Sequence, residues 1–154
     1  MRFLVQATPE RLARARPPVR AFLLFAGLAL AGVVAARVTA GGLTAAGVEA
    51  AYLGDGQPLP LAALWEEVHM GAFLQGFTLL MLGSIVAVCP GPARWRNALF
   101  ALAVAATLAD LFAPFAVVAL RGAGGLRVAT FAVATLAQAG LLTWGALGFG
   151  RGRA

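Results

Sequence analysis

The sequence predicts an all-α integral membrane protein, a bundle of four spanning helices. Of its 154 residues, 61% are hydrophobic and only 12% are charged, and the mean hydropathy is +0.86. A soluble domain of this length rarely has so few charges, whereas several apolar spans of about 20 residues produce this composition. Long apolar runs cover about residues 20–38, 63–89, 97–120 and 128–150. We therefore expect a single membrane domain over residues 1–154.

The N-terminal segment predicts a short amphipathic helix ahead of the first span. Thr8 can cap a helix whose first position is Pro9, and Pro17 and Pro18 should end it after about two turns. Its arginines suit the positive flank that orients a first span at a membrane surface. A secretory signal peptide, with a small-residue cleavage site near Ala40, is the alternative interpretation of the first apolar run.

The connections between the spans contain clear turn signals. Thr44 can cap a short amphipathic helix, AAGVEAAYL, in the first outer loop, and a segment with two glycines and two prolines follows it. Pro90-Gly91-Pro92 ends the second span in a tight turn, so spans two and three should form an antiparallel hairpin. Pro114 should kink the third span, because a proline removes one helical hydrogen bond.

The arginines predict the orientation of the bundle. All twelve basic residues are arginine, and the four spans place nine of them on the side of both termini and three on the other side. Because Arg and Lys are in excess in cytoplasmic flanks, we expect both termini in the cytoplasm. In a bacterium, the membrane would be the inner one and the opposite side the periplasm. The arginines lie at the ends of the apolar runs, where they orient the spans and contact anionic lipid headgroups. These roles account for the net charge of +6, so we expect no nucleic-acid partner.

The second span begins with a candidate cofactor-binding pair. Glu66 and His69 are three residues apart on one helix face, at the end expected to be periplasmic. A di-iron site needs two such Glu-x-x-His motifs, so we expect no metal. Met81 lies about 18 Å from His69 along the helix, so a haem b would need a ligand from a partner chain. We expect no cofactor in the isolated chain, and a His69 that is hydrogen-bonded at the water interface.

A polar layer in the middle of the bundle is a second candidate site. Counting about 1.5 Å of rise per residue from the turns places Gln75, Asp110 and Gln138 at nearly the same depth, where they can face each other. An unpaired carboxylate is costly in hydrocarbon, so Asp110 should be protonated or hydrogen-bonded to the two amides. Such a layer can fix the register of the helices or, alternatively, serve transport or proton relay.

Three stretches resemble a family of small, largely uncharacterised bacterial membrane proteins with four spans: GLTAAGVEAAYLGDG in the loop, EVHMGAFLQGF in the second span and LADL in the third. The resemblance covers about residues 42–149. In that family the second span opens with a His-x-His motif, and some members carry a c-type cytochrome segment in the outer loop, which this sequence lacks. His69 matches the first histidine, whereas Gly71 stands at the second. Three further positions match the family pattern: Gly76, Gly83 and Asp110. The resemblance implies an association with respiratory or electron-transport complexes.

These observations allow three functions. The first is a non-catalytic accessory subunit of a respiratory or electron-transport complex, in contact with the lipid bilayer and with other membrane subunits. The second is a haem- or quinone-binding subunit in which His69 acts with a partner chain. The third is a small oligomeric permease with Asp110 in a polar path. The sequence contains no catalytic constellation, which favours a non-enzymatic role.

The predicted orientation can be tested with reporter fusions. A fusion at residue 56 should report the periplasm and a fusion at residue 93 the cytoplasm, because the arginine excess lies on the side of residue 93. Alkaline phosphatase activity and green fluorescence are the complementary measurements. The reverse pattern would contradict the orientation.

Overall fold

The computed structural model describes residues 9–40, 42–54 and 56–150 of the chain. This part contains five helices and no strand: α1 Pro9–Thr39, α2 Ala45–Leu53, α3 Leu61–Ala87, α4 Ala93–Ala119 and α5 Gly124–Gly150. Four of them, α1, α3, α4 and α5, are long and apolar enough to cross a membrane. The predicted all-α bundle with four spans and a short helix in the first loop is therefore confirmed.

The N-terminal segment departs from the prediction. Pro17 and Pro18 do not end a separate short helix; they lie inside α1, which runs without a break over 31 residues. Proline has no backbone N–H, so two adjacent prolines remove helical hydrogen bonds only within a single turn. The apolar run after them favours a continuous helix, because backbone groups in lipid need partners within the helix. Thr8, the expected cap, lies outside the described residues.

α5 is the central helix of the bundle. It packs most extensively against α4 and also contacts α1, α2 and α3, whereas α1 has little contact with α3. α2 covers one end of the bundle, which we call the capped end; the α3–α4 connection, residues 88–92, marks the opposite or turn end. A small core under α2 holds four buried side chains: Val48, Tyr52, Leu64 and Val117. A larger core lies towards the turn end and includes Leu23, Leu82, Ile85 and Leu141.

The helix starts follow the local sequence signals. Thr44 caps α2 as predicted, because its Oγ1 accepts a hydrogen bond of 3.0 Å from the backbone N–H of Gly47. α3 and α4 begin directly after Pro60 and Pro92, each with a φ of −64°. Pro114 is buried within α4, which continues to Ala119, and the kink at this position stays a prediction.

The turn end is fixed by side chains that reach the exposed carbonyls of the hairpin. Arg96 Nη1 donates to the carbonyl of Cys89 at 3.0 Å, and Trp144 Nε1 of α5 donates to the carbonyl of Pro90 at 3.2 Å. Cys89 itself is buried, and its thiol donates to the carbonyl of Ile85 at 3.3 Å. Burial raises the pKa of the Cys89 thiol, which suits a packing residue.

The backbones of α2 and α5 meet at Gly124. A Cβ at this position would overlap the carbonyl oxygen of Ala45, whereas a Cβ at the adjacent Gly125 would face open space. The Gly124 N–H donates to Oε1 of Glu49 at 3.0 Å. A carboxylate at a helix N-terminus is favourable, because it accepts from unpaired backbone N–H groups and interacts with the helix dipole. Gly124 and Glu49 therefore attach α2 to the start of α5.

Replacement of these adjacent glycines should have different effects on stability. We expect Gly124→Ala to lower the free energy of unfolding by about 1–3 kcal/mol, because the methyl group would have to displace backbone of α2. Gly125→Ala is the control and should be neutral or slightly stabilising, since alanine favours a helix more than glycine does. Unfolding of the detergent-solubilised protein, followed by circular dichroism, measures both variants. Equal stability of the two would contradict the close α2–α5 contact.

Candidate functional site

Charged and polar side chains from all five helices meet at the capped end. They are Arg37 of α1, Tyr52 of α2, Glu67 of α3, Asp110 of α4 and Arg127 of α5, which we call the capped-end cluster. Glu67 is at the centre: its Oε1 accepts from Arg127 Nη2 at 2.9 Å and from Arg37 Nη2 at 3.4 Å. The Tyr52 hydroxyl lies 2.7 and 2.8 Å from the two oxygens of this carboxylate and donates its single proton to it.

Arg127 and Asp110 form the most deeply buried part of the cluster. Arg127 Nη1 lies 2.7 Å from Asp110 Oδ1, and each side chain is 3% exposed. The contact lacks hydrogen-bond angles, so Asp110 Oδ1 and the Nε and Nη1 atoms of Arg127 have no hydrogen-bond partner within the described part of the chain. Charge attraction therefore holds this pair, and it is stronger here than at a surface because water is excluded.

The formal charges of the cluster balance. Two guanidinium groups, Arg37 and Arg127, face two carboxylates, Glu67 and Asp110, so the helices do not bury an uncompensated charge. Burial raises the pKa of the Tyr52 phenol, which keeps it a neutral donor. The Arg37 guanidinium also lies 5.4 Å from the centre of the Phe131 ring, a cation–π contact that joins α1 to α5.

The arginines of the cluster were missed in the sequence because they were assigned to the flanks that orient the spans. A signal for Arg127 was present. It is followed at helical intervals by apolar or amide side chains that are buried in the structure: Phe131, Ala134, Gln138 and Leu141. Arg127 therefore extends the buried stripe of α5, and residues on that stripe face the protein.

The predicted polar layer is divided in the structure. Gln138 Nε2 donates to Gln75 Oε1 at 3.1 Å and to Thr107 Oγ1 at 3.0 Å. Asp110, expected in this layer, lies one helical turn nearer the capped end than Thr107 and pairs with Arg127 instead. We call Gln75, Thr107 and Gln138 the glutamine layer.

The start of α5 explains the offset. The sequence-based count measured the depth of Gln138 from Arg127. α5 in fact begins three residues earlier, at Gly124, so Gln138 is about 21 Å from the start of the helix. On α4, Thr107 is about 18 Å and Asp110 about 14 Å from the last residue, Ala119. Thr107 therefore lies nearer the depth of Gln138 than Asp110 does. A single hydroxyl in an apolar span is not a distinctive signal in the sequence.

Glu66 and His69 lie outside the capped-end cluster. Both side chains are exposed on α3, and neither makes a hydrogen bond or an ion pair with a described residue. His69 shares its helix face with two exposed aromatic residues one turn away, Trp65 and Phe73. The hydrogen bond expected for His69 therefore has no partner within the described part of the chain.

The position two residues after His69 faces the protein. A Cβ at Gly71 would overlap a methyl group of the Leu111 side chain on α4, so a histidine at this position would require Leu111 to move. The described residues contain no group of three or more His, Cys, Asp or Glu side chains that could hold a metal ion. Glu66 and His69 can thus offer one carboxylate and one imidazole to an external group, without further ligands from nearby described residues.

Two adjacent glutamates provide a matched test of the capped-end cluster. We expect Glu67→Gln to lower the free energy of unfolding by about 1–3 kcal/mol, because two arginines lose a charged acceptor. Glu66→Gln removes the same charge from an exposed position and should change stability by less than about 0.5 kcal/mol. Chemical unfolding in detergent measures the difference. Equal effects would show that Glu67 does not hold the helices together.

The Asp110–Arg127 pair can be tested with a double substitution. Asp110→Asn keeps the shape of the side chain but removes one anion beside a buried arginine, so we expect a loss of about 3 kcal/mol. Replacing both residues, as Asp110→Leu with Arg127→Met, should recover most of this loss, because apolar residues need no charge partner. Unfolding of both variants under one condition gives the comparison. A stable Asp110→Asn protein would contradict a structural ion pair.

The chain is related to a known family of membrane proteins. Residues 42–145 match the family model Aq_1264_TM, which is described as a transmembrane helical domain. The match begins after α1 and contains four members of the capped-end cluster: Tyr52, Glu67, Asp110 and Arg127. No curated protein and no solved structure matches the chain. Because the model covers more than half of the sequence, the chain belongs to the Aq_1264_TM family of transmembrane helical domains.

Proposed function

We propose that the chain is a non-catalytic accessory subunit of a larger electron-transport complex in a bacterial inner membrane. The observation that carries this proposal is the exposed Glu66–His69 pair on α3. The two residues lie about 8 and 12 Å from the start of the helix, on a face whose neighbours are aromatic. Ionisable groups at such a position normally face protein or water rather than hydrocarbon. A helix of another subunit packed on this face would supply their partners.

The interior of the bundle supports a structural role. The capped-end cluster joins five helices through ion pairs and hydrogen bonds, and the glutamine layer joins α3, α4 and α5. Asp110, the residue on which a permease would depend, is paired with Arg127 and buried, so it offers less support for transport. In the proposed orientation, with both termini in the cytoplasm, the capped end and the Glu66–His69 pair lie on the periplasmic side.

A second candidate function rests on the imidazole alone. His69 points away from the bundle and has no partner among the described residues, so it could ligate a haem b or contact a quinone held jointly with a partner chain. This role is compatible with an accessory subunit, because the second ligand would come from the neighbour. The family resemblance noted in the sequence implies an association with respiratory or electron-transport complexes, which favours the same context.

Native purification tests both functions. We expect the tagged chain, solubilised in a mild detergent, to migrate on native gels together with other membrane subunits. Glu66→Ala and His69→Ala should release them, because they remove the polar groups that the neighbour contacts. Thr143→Ala, which alters an exposed polar side chain on α5, is the control and should retain them.

Native migration tests the need for a partner, and the visible spectrum separates the two candidates. Migration of the wild-type chain alone, or only with copies of itself, would contradict the accessory role. A Soret band in the complex that is lost in His69→Ala would support joint haem binding, whereas the same band in the isolated chain would show that the ligand set is complete within this chain.

A further inference from the structure

An apolar groove opens between α1, α3 and α5 near the turn end. Its volume is about 300 Å³, within the range of small-molecule sites. It exists because α1 packs against α5 but has little contact with α3. The lining comes from all three helices and includes Pro18, Phe22, Met81, Ser84, Val88 and Phe149. Most of these side chains are apolar, so the groove suits a hydrocarbon chain and offers little to a polar ligand.

Arginine side chains lie beside this groove. Arg20 Nη2 donates to the carbonyl of Phe149 at 3.4 Å, which places the guanidinium next to a lining residue. Arg16 lies one turn earlier on α1, on the same side of the helix as Arg20. Neither arginine forms an ion pair with a carboxylate of the described residues. Arg20 uses one of its five N–H donors in the contact with Phe149, and the others are available to an anion.

We propose that the groove binds one anionic phospholipid, with an acyl chain between α1 and α3 and the phosphate at Arg16 and Arg20. The apolar lining favours an apolar occupant, and the guanidinium groups beside it, which have no carboxylate partner among the described residues, favour an anion. An anionic phospholipid meets both requirements in one molecule, and basic sites between membrane helices are known to take such headgroups. A zwitterionic lipid would bring a cation towards the arginines, and a quinone has the tail without the negative charge.

The lipid has a structural role in this arrangement. α1 is joined to α3 at the capped end by the Arg37–Glu67 contact, but at the turn end the groove separates the two helices. An acyl chain there supplies the packing that side chains do not provide, and the headgroup bridges to α1 through its arginines. The site depends on α1, which lies outside the residues that match the family model.

Native mass spectrometry of the full-length, delipidated protein tests this proposal. The probes are a phosphatidylglycerol and a phosphatidylcholine with identical acyl chains. We expect one tightly held phosphatidylglycerol, bound at least tenfold more strongly than phosphatidylcholine. Arg16→Gln and Arg20→Gln should each weaken it about tenfold, because each removes one charge-assisted contact. Arg94→Gln is the control: the guanidinium of this arginine lies 5.4 Å from the centre of the Trp95 ring, and neither residue lines the groove.

A second variant tests the groove itself. Ser84→Phe should fill it and prevent retention of the lipid while both arginines stay in place; circular dichroism verifies that the helices remain. The proposal is overturned if both lipids bind equally, if Arg20→Gln and Arg94→Gln behave alike, or if Ser84→Phe retains the lipid. It is also overturned if a copurified isoprenoid quinone occupies the groove and phosphatidylglycerol does not displace it.

Discussion

The carboxylate of Glu67 is the point at which the helices of this protein are joined. It accepts from Arg37, Tyr52 and Arg127, and Arg127 extends the connection to Asp110. Each of the five helices contributes one side chain, so removal of the central carboxylate affects contacts of all of them. Arg127 is almost completely buried, so its guanidinium needs the carboxylates of Glu67 and Asp110 as partners. A buried guanidinium without a partner would be far more costly than one at a surface.

The surrounding lipid explains why polar contacts have this importance. Hydrocarbon is as apolar as leucine, so helices in a membrane gain little from burying apolar side chains against each other. They associate through close packing and through hydrogen bonds or ion pairs. This bundle uses close packing where α2 meets α5 at Gly124, and polar contacts in the glutamine layer and the capped-end cluster. The exposed apolar side chains along α3 are then a surface that suits contact with lipid.

The sequence predicted the four spans, the loop helix and its Thr44 cap, because hydropathy and capping signals are local. It also placed Gln75 and Gln138 at similar depth, and the structure joins them. Other features depended on tertiary packing. Pro17 and Pro18 are tolerated inside α1, and the early start of α5 moves Gln138 towards Thr107. Arg127 was assigned to a solvated flank because a charge count treats every flanking arginine as solvated. The partners of Arg127 are instead determined by its position on the buried face of α5.

The pairing of Asp110 with Arg127 also bears on how the protein enters the membrane. These residues belong to α4 and α5, consecutive spans joined by a link of only four residues, 120–123. The two charges can therefore neutralise each other within one helical hairpin, before either helix meets the rest of the chain. Insertion of α4 alone would expose a carboxylate to hydrocarbon, whereas insertion of the hairpin as a unit avoids that cost. The Asp110–Arg127 ion pair can thus form between the third and fourth spans during membrane insertion, and the finished bundle retains it.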